Sequence, residues 1–151
     1  MAWEHFEVRM KGWVTVITSK SVTELAVEWG GVTTGRQRVF SRFFVRIELA
    51  NGEQVTAEDR DSPVQALRRL NEKLKRSDIF ILAAGLDARW YQTGHTDRTC
   101  LGYIEGNDLV RAYDMFELPP AQPRDPVEEE ALDAMIEQAV SQIGQSLTTT
   151  R

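Results

Sequence analysis

Apolar and polar side chains alternate most clearly between Arg38 and Leu49. Side chains of an extended strand point to alternate faces, so this stretch predicts a strand with two distinct sides. One side is apolar apart from a serine and consists of Val39, Ser41, Phe43, Val45, Ile47 and Leu49. The other side alternates guanidinium and phenyl groups: Arg38, Phe40, Arg42, Phe44 and Arg46. A solvated sheet face rarely carries two phenylalanines, so we expect a helix, a neighbouring strand or a partner to cover Phe40 and Phe44.

The preceding sequence also favours strands. Alternation predicts a first strand over residues 6–10, and a β-prone run predicts a second over 13–18, with Lys11-Gly12 as the break between them. Residues 22–29 fit either a half-buried strand or a short capped helix, and the alternation favours the strand. The glycines and threonines of residues 30–35 then predict a flexible loop.

Asn51-Gly52 predicts a β-hairpin after the central strand. A three-residue loop with Gly52 in the left-handed conformation would place Ile47 opposite Val55 and keep apolar residues on one face. A two-residue loop would instead set Val55 opposite a glutamate, so we predict the longer loop.

Ser62 and Pro63 then form a well-defined helix start, because serine can cap the helix and proline gives up no needed donor at the first position. An apolar arc over residues 63–76 faces inward, and the remaining surface is rich in lysine and arginine. The residues that we expect to share one core are Val45, Ile47, Leu67, Leu70, Ile81 and Leu82.

Beyond the helix, residues 79–84 lack alternation and predict an interior strand covered on both sides. Residues 85–99 break the pattern, and two further strands are predicted at 100–104 and 109–113. These elements together predict an α+β domain over residues 1–118: a largely antiparallel sheet of six to eight strands with one packed helix.

The last part of the chain has a different character. Residues 119–125 form a Pro-rich connector, and residues 126–151 contain an amphipathic helix over 126–147. Its apolar stripe consists of Leu132, Met135, Ile136, Ala139, Val140, Ile143 and Leu147. The stripe needs a surface, which is either the sheet near Phe40 and Phe44, with the acidic first turn close to the arginines of that strand, or a second copy or another protein.

Composition and charge narrow the class of protein. A chain of 151 residues, 42% of them apolar, can fill one core. The net charge of −5 lies mainly in residues 119–151, which carry two basic and six acidic residues. Residues 36–76 carry ten basic and six acidic residues, an excess too weak to indicate nucleic acid. A single cysteine, no signal-type start and no long apolar run predict a cytoplasmic protein without membrane segments.

Catalytic motifs for phosphate, nucleotide, zinc or acyl-transfer chemistry are absent from the sequence, and we expect no cofactor or metal. The weak candidates for chemistry lie in the loop from Asp87 to Cys100. Asp87 or Asp97 with His95 could act in acid–base catalysis, and His95 could activate Cys100.

The same loop is a candidate for recognition through Arg89, Trp90, Tyr91, His95 and Arg98, residue types common at protein interfaces. A second candidate surface consists of Arg38, Phe40, Arg42, Phe44 and Arg46. The sequence favours a non-catalytic protein-binding module, such as an inhibitor, an immunity-like protein, a secretion accessory or an assembly factor. Alternatives are an enzyme using residues 87–100 and a single-stranded nucleic-acid-binding module using the Arg/Phe face.

Overall fold

The computed structural model describes residues 3–19, 21–94, 96, 98–106 and 111–120. Within these residues the chain forms eight strands and one α-helix, together with a short 3-10 helix at Ala84–Leu86. The elements are β1 (Glu4–Ile17), β2 (Val22–Thr34), β3 (Val39–Glu48), β4 (Gln54–Asp59), α1 (Pro63–Lys75), β5 (Phe80–Leu82), β6 (Trp90–Tyr91), β7 (Leu101–Ile104) and β8 (Tyr113–Asp114). The predicted α+β class with mainly antiparallel strands is confirmed.

The strands belong to two sheets rather than one. The larger sheet has the order β4-β3-β2-β1-β5, and the smaller has the order β6-β7-β8. One apolar core joins the larger sheet, α1 and the smaller sheet, because buried residues from all three belong to a single cluster. The helix and the smaller sheet therefore cover the same side of the larger sheet.

β1 is continuous where the sequence predicted two strands. The break expected at Lys11-Gly12 is wrong, because both residues pair with β2. The irregularity lies earlier: Val8 pairs with Gly30 and Met10 pairs with Trp29, which leaves Arg9 as the extra residue of a β-bulge. A bulge bends a strand without ending it, so the strand runs on to Ile17.

β2 confirms the strand predicted for residues 22–29, but the flexible loop predicted for 30–35 is wrong. Residues 30–34 continue the strand, and most of them are buried. Glycine is required at position 30 because a Cβ there would lie 1.9 Å from the carbonyl oxygen of Glu7. Gly30 thus marks the close approach of the bulged β1 backbone and not a loop.

The hairpin between β3 and β4 has the predicted register. Ile47 pairs with Val55, and Val45 pairs with Ala57. Gly52 has a φ of +87°, in the left-handed region that the three-residue loop requires.

The predicted shared face of Phe40 and Phe44 is wrong. Thr33 pairs with Phe40 and Val32 with Arg42, which leaves Ser41 as an extra residue in β3. A one-residue bulge reverses the alternation beyond it. Phe40 therefore lies on the core side with Phe43, with ring centroids 4.8 Å apart, while Phe44 lies on the opposite side.

α1 begins as predicted, with the Ser62 hydroxyl oxygen accepting a hydrogen bond of 3.0 Å from the backbone N–H of Gln65. Its buried residues include Val64, Leu67, Leu70 and Leu74. Five of the six predicted core residues belong to the core cluster. Leu82 does not, because it pairs with Thr15 on the side of the sheet away from α1.

The strand predicted at 79–84 is shorter and less covered than expected. β5 has three residues and pairs with the end of β1 at one edge of the sheet, where Phe80 is exposed. β7 matches the strand predicted at 100–104, and β8 is the described end of the strand predicted at 109–113, whose residues 109–110 lie outside the described residues.

Only Pro119 and Pro120 of the C-terminal part are described, so most of the connector and all of the helix predicted at 126–147 lie outside the described residues. Among the helices that are described, none is long and apolar enough to cross a lipid bilayer.

Candidate functional site

The loop from Asp87 to Cys100 is held by internal contacts at its start. Arg89 donates to the Asp87 carboxylate at 2.9 and 3.0 Å and to the carbonyl oxygen of Pro120 at 2.8 Å. The Arg89–Asp87 pair is largely buried. His95 and Asp97, two of the candidates for catalysis, lie outside the described residues.

Trp90 and Tyr91 are adjacent in sequence but differ in exposure. Trp90 is 8% exposed, and its indole lies over Gly102, where a Cβ would come within 2.3 Å of the ring. Tyr91 is 46% exposed, and its ring lies 5.5 Å from that of Tyr103. Trp90 therefore packs against the fold, and Tyr91 is the aromatic side chain that this pair offers to solvent.

Arg98, the last predicted contact residue of the loop, lies against the core side of β3. Its guanidinium carbon is 5.1 Å from the ring centroid of Phe40 and 5.2 Å from that of Phe43. Arg9 lies over the same two rings, at 6.0 and 5.6 Å. Two guanidinium groups therefore lie within cation–π distance of the Phe40 ring.

Cys100 is a buried thiol whose environment opposes nucleophilic chemistry. Burial, followed by the nearby Asp114 carboxylate, raises the pKa of Cys100 from 9.0 to about 12. The Sγ atom is 3.5 Å from Asp114 Oδ2, and burial also raises the pKa of Asp114. A reactive cysteine needs a lowered pKa in electropositive surroundings, so this thiol is unsuited to covalent catalysis at neutral pH.

The rate of alkylation measures the reactivity of the Cys100 thiol directly. At pH 8 we expect iodoacetamide to modify Cys100 in the native protein at least about a hundredfold more slowly than in the urea-unfolded chain, because the thiolate fraction falls as the pKa rises. The raised pKa also means that the contribution of Cys100 to stability is constant below about pH 9 and falls as pH rises from 9 towards 12, because the unfolded chain loses the thiol proton first. Equal native and unfolded rates would contradict a buried, protonated thiol.

The side of the larger sheet that faces away from α1, called the open face below, carries the arginines of β3. Arg46 donates to Glu28 at 2.8 Å, and Arg42 donates to Glu58 and lies 3.1 Å from Glu4. These two glutamates raise the pKa of the Arg42 guanidinium above its ordinary value. Arg38 lies in the turn before β3 and pairs with Glu7 at 2.7 Å. All three predicted arginines are therefore engaged by carboxylates.

Phe44 is fully buried on the open face although none of the described helices covers it there. The ring of Phe6 meets it edge-on at 5.3 Å, and the guanidinium carbon of Arg46 lies 5.0 Å from its centroid. Stacking of nucleic-acid bases needs an exposed ring. Because the Phe44 ring is buried, it cannot stack on a base, and this predicted basis for nucleic-acid binding by the Arg/Phe face is removed.

The net charge of the open face also disfavours nucleic-acid binding. Strand pairing assigns to it three cations and five carboxylates: Lys11, Arg42, Arg46, Glu4, Glu24, Glu28, Glu48 and Glu58. The sum, three minus five, is −2. A face of this sign repels phosphate backbones and suits a neutral or basic partner.

The open face also carries exposed apolar side chains along β1 and its neighbours. We call this set the apolar strip; it consists of Phe6, Val8, Trp13, Val22 and Phe80, each at least 40% exposed. Trp13 is the most exposed, at 66%. From Phe6 to Ile17 the strand spans about 36 Å at roughly 3.3 Å per residue. Lys11 and Thr15 lie between members of the strip, and several exposed apolar side chains on one face of a sheet are typical of an interaction site.

A groove of about 410 Å3 runs beside Trp13 on this face. Ala26 of β2 lies in it, and Trp13, Arg46 and Glu48 are among the residues that line it. The small side chain of Ala26 between larger neighbours leaves room for one inserted side chain. Tryptophan and arginine beside such a space are typical of interface hot spots.

The backbone edge of β1 is less suited to binding than this face. On the side away from β2, the described residues pair with β1 only at Thr15–Ile17, through β5. The bulge at Arg9 and the charge of Lys11 are features that hinder pairing with an added strand. We therefore assign the candidate site to the face and not to the edge.

Simple alternation along β1 did not predict the apolar strip. Phe6 and Val8 occupy even positions and Trp13 an odd one, so simple alternation puts them on opposite faces. The bulge at Arg9 changes the register and brings all three to the open face. The alternation of Trp13, Thr15 and Ile17 with two buried valines was the one available signal.

No protein-family model matches the sequence, and a search of the curated proteins finds no match. Function is therefore inferred from the surfaces themselves.

Proposed function

We propose that the protein is a non-catalytic protein-binding module that binds a protein partner through the apolar strip and the groove beside Trp13. The observation that carries this proposal is the exposure of Trp13, at 66%, within a row of exposed apolar side chains on an otherwise well-packed sheet. Large aromatic side chains supply most of the binding energy in protein interfaces, whereas they cost solubility when left uncovered.

The chemistry of the face indicates the kind of partner. An apolar patch with neutral or basic surroundings would complement a strip flanked by a net charge of −2. The ion pairs of Arg42 and Arg46 form a polar border beside the strip. An apolar centre with a polar rim is the usual arrangement of such interfaces.

This function suits an inhibitor, an immunity-like protein, a secretion accessory or an assembly factor, each of which acts by occupying a partner's surface. Recognition by Tyr91 and Arg98 of the loop stays a prediction for a second contact. The raised pKa of the Cys100 thiol disfavours covalent catalysis, and the Asp87 carboxylate already pairs with Arg89. The sign of charge on the open face and the burial of Phe44 disfavour nucleic acid.

Site-specific photo-crosslinking in the native host tests the proposal. A photoreactive phenylalanine analogue would replace Thr15 on the open face or, as the matched control, Gln65 on the exposed side of α1. We expect a discrete protein adduct from position 15, none from position 65, and loss of the adduct when Trp13→Asp is added. Adducts from the same analogue at Tyr91, with none at position 15, would move the interface to the loop.

A further inference from the structure

The outward side of α1 borders a second groove, of about 640 Å3, which we call the basic groove. Its charged lining consists of five cations and two carboxylates: Arg68, Arg69, Lys73, Lys75, Arg76, Glu72 and Asp87. The net charge of this lining is five minus two, or +3. Within the described part of the chain neither Arg68 nor Arg76 has a carboxylate partner. The basic groove therefore carries positive charge that the described residues do not neutralise.

The chain itself supplies a segment of the opposite charge. Residues 125–137 contain six acidic residues and no basic one, which makes this stretch −6. Three consecutive glutamates, Glu128, Glu129 and Glu130, lie near its start. No other stretch of this length in the sequence is as acidic.

The chain leaves the described residues beside the basic groove. The carbonyl oxygen of Pro120 accepts a hydrogen bond of 2.8 Å from Arg89, which also pairs with Asp87 in the groove lining. Glu128 lies eight positions after Pro120, a reach of up to about 26 Å at roughly 3.3 Å per residue. α1, with 13 residues, is about 20 Å long. The glutamates can therefore reach any part of the groove.

The open face is a poorer host for the same segment. Its net charge is −2, and Arg38, Arg42 and Arg46 already pair with glutamates. An acidic segment placed there would meet like charge and would have to break existing ion pairs.

We propose that the acidic stretch 125–137 docks in the basic groove of its own chain. Carboxylates of the stretch pair with Arg68 and Arg76, and Leu86 and Ala88 in the groove lining offer apolar contact to the neighbouring stripe residues. This position covers the charged side of α1 and leaves the apolar strip free for a partner.

Zero-length carbodiimide cross-linking of the full-length protein tests this docking, because it joins a lysine only to a carboxylate in contact with it. The chain has four lysines: Lys11 on the open face, Lys20, and Lys73 and Lys75 on α1. The ion pair of Lys75 with Glu72, at 3.1 Å, is an internal reference for the reaction. A mixture of 14N- and 15N-labelled chains separates links within a chain from links between chains.

We expect links within one chain from Lys73 or Lys75 to carboxylates of residues 125–137. The double substitution Arg68→Gln/Arg76→Gln removes both charges, adds no competing carboxylate, and should lower the yield of these links about threefold to tenfold, as loss of exposed ion pairs implies. Arg36→Gln, an exposed change in the turn between β2 and β3, should leave the yield within about twofold. Thermal unfolding of each variant verifies that the fold is kept.

Four results would overturn the docking. Links from residues 125–137 to Lys11 would place the segment on the open face. Links between chains would make a second copy the host. Absence of links from residues 125–137, or a yield unchanged by the double substitution, would show that the basic groove does not hold this segment.

Discussion

Replacing Gly30 with alanine should lower the free energy of unfolding by about 3 kcal/mol, the upper part of the range for forced overpacking. The added Cβ would lie 1.9 Å from the carbonyl oxygen of Glu7 and 2.8 Å from its carbonyl carbon. Both are backbone atoms of β1, which cannot move aside without disturbing the pairing that follows the bulge. Urea titration followed by circular dichroism measures the change.

Gly12→Ala is the matched control for Gly30→Ala. Gly12 lies in β1, pairs with Val27, and has open space where a Cβ would point. Its φ is not positive, so we expect a change within about 1 kcal/mol in either direction. If Gly30→Ala were as mild as Gly12→Ala, residues 30–34 would behave as the flexible loop that the sequence suggested and not as buried strand.

Leu70→Ala should cost about 2–5 kcal/mol of unfolding free energy, because it leaves a cavity between α1 and the larger sheet. Leu70 is fully buried and belongs to the same core as Val45 and Ile47. The exposed Leu101 of β7 provides the comparison, and Leu101→Ala should cost less than about 1 kcal/mol. A loss under about half a kcal/mol at Leu70 would mean that α1 presents a different side to the sheet.

Local sequence rules predicted the elements whose geometry is set by neighbouring residues. The cap of α1 by Ser62, the left-handed Gly52 and the register of the β3–β4 hairpin follow from turn and capping chemistry. Each depends on contacts within a few positions along the chain. The apolar arc of α1 likewise follows from a single helical period.

The errors arise where a single extra residue changes which face a side chain occupies. Bulges at Arg9 and Ser41 bring Phe6, Val8 and Trp13 together and separate Phe40 from Phe44. No turn residue in the sequence indicates either bulge, because the position of each bulge depends on long-range pairing with β2. The glycines of residues 30–31 suggested a loop for the same reason. They lie close to neighbouring strands, and the residues adjacent to them in sequence do not indicate such a contact.

The candidate site likewise has some features that local sequence predicts and others that depend on long-range packing. Pairing of the β3 arginines with glutamates across strands could be anticipated from their spacing on a sheet. The different exposures of Trp13 and Trp90 could not be anticipated in this way. Trp13 is exposed and Trp90 is buried because of how the two sheets pack, and this packing does not follow from the residues next to each tryptophan.

Affinity for the partner identified by crosslinking tests the central claim most directly. Isothermal titration calorimetry would compare the wild-type protein with Trp13→Ala on the open face and Tyr91→Ala on the loop, two exposed aromatic residues. A hot-spot tryptophan contributes about 1–4 kcal/mol, so Trp13→Ala should raise Kd about fivefold to a thousandfold while Tyr91→Ala leaves it within about threefold. The opposite pattern, with a folded Trp13→Ala protein binding as tightly as wild type, would contradict the open face as the binding surface.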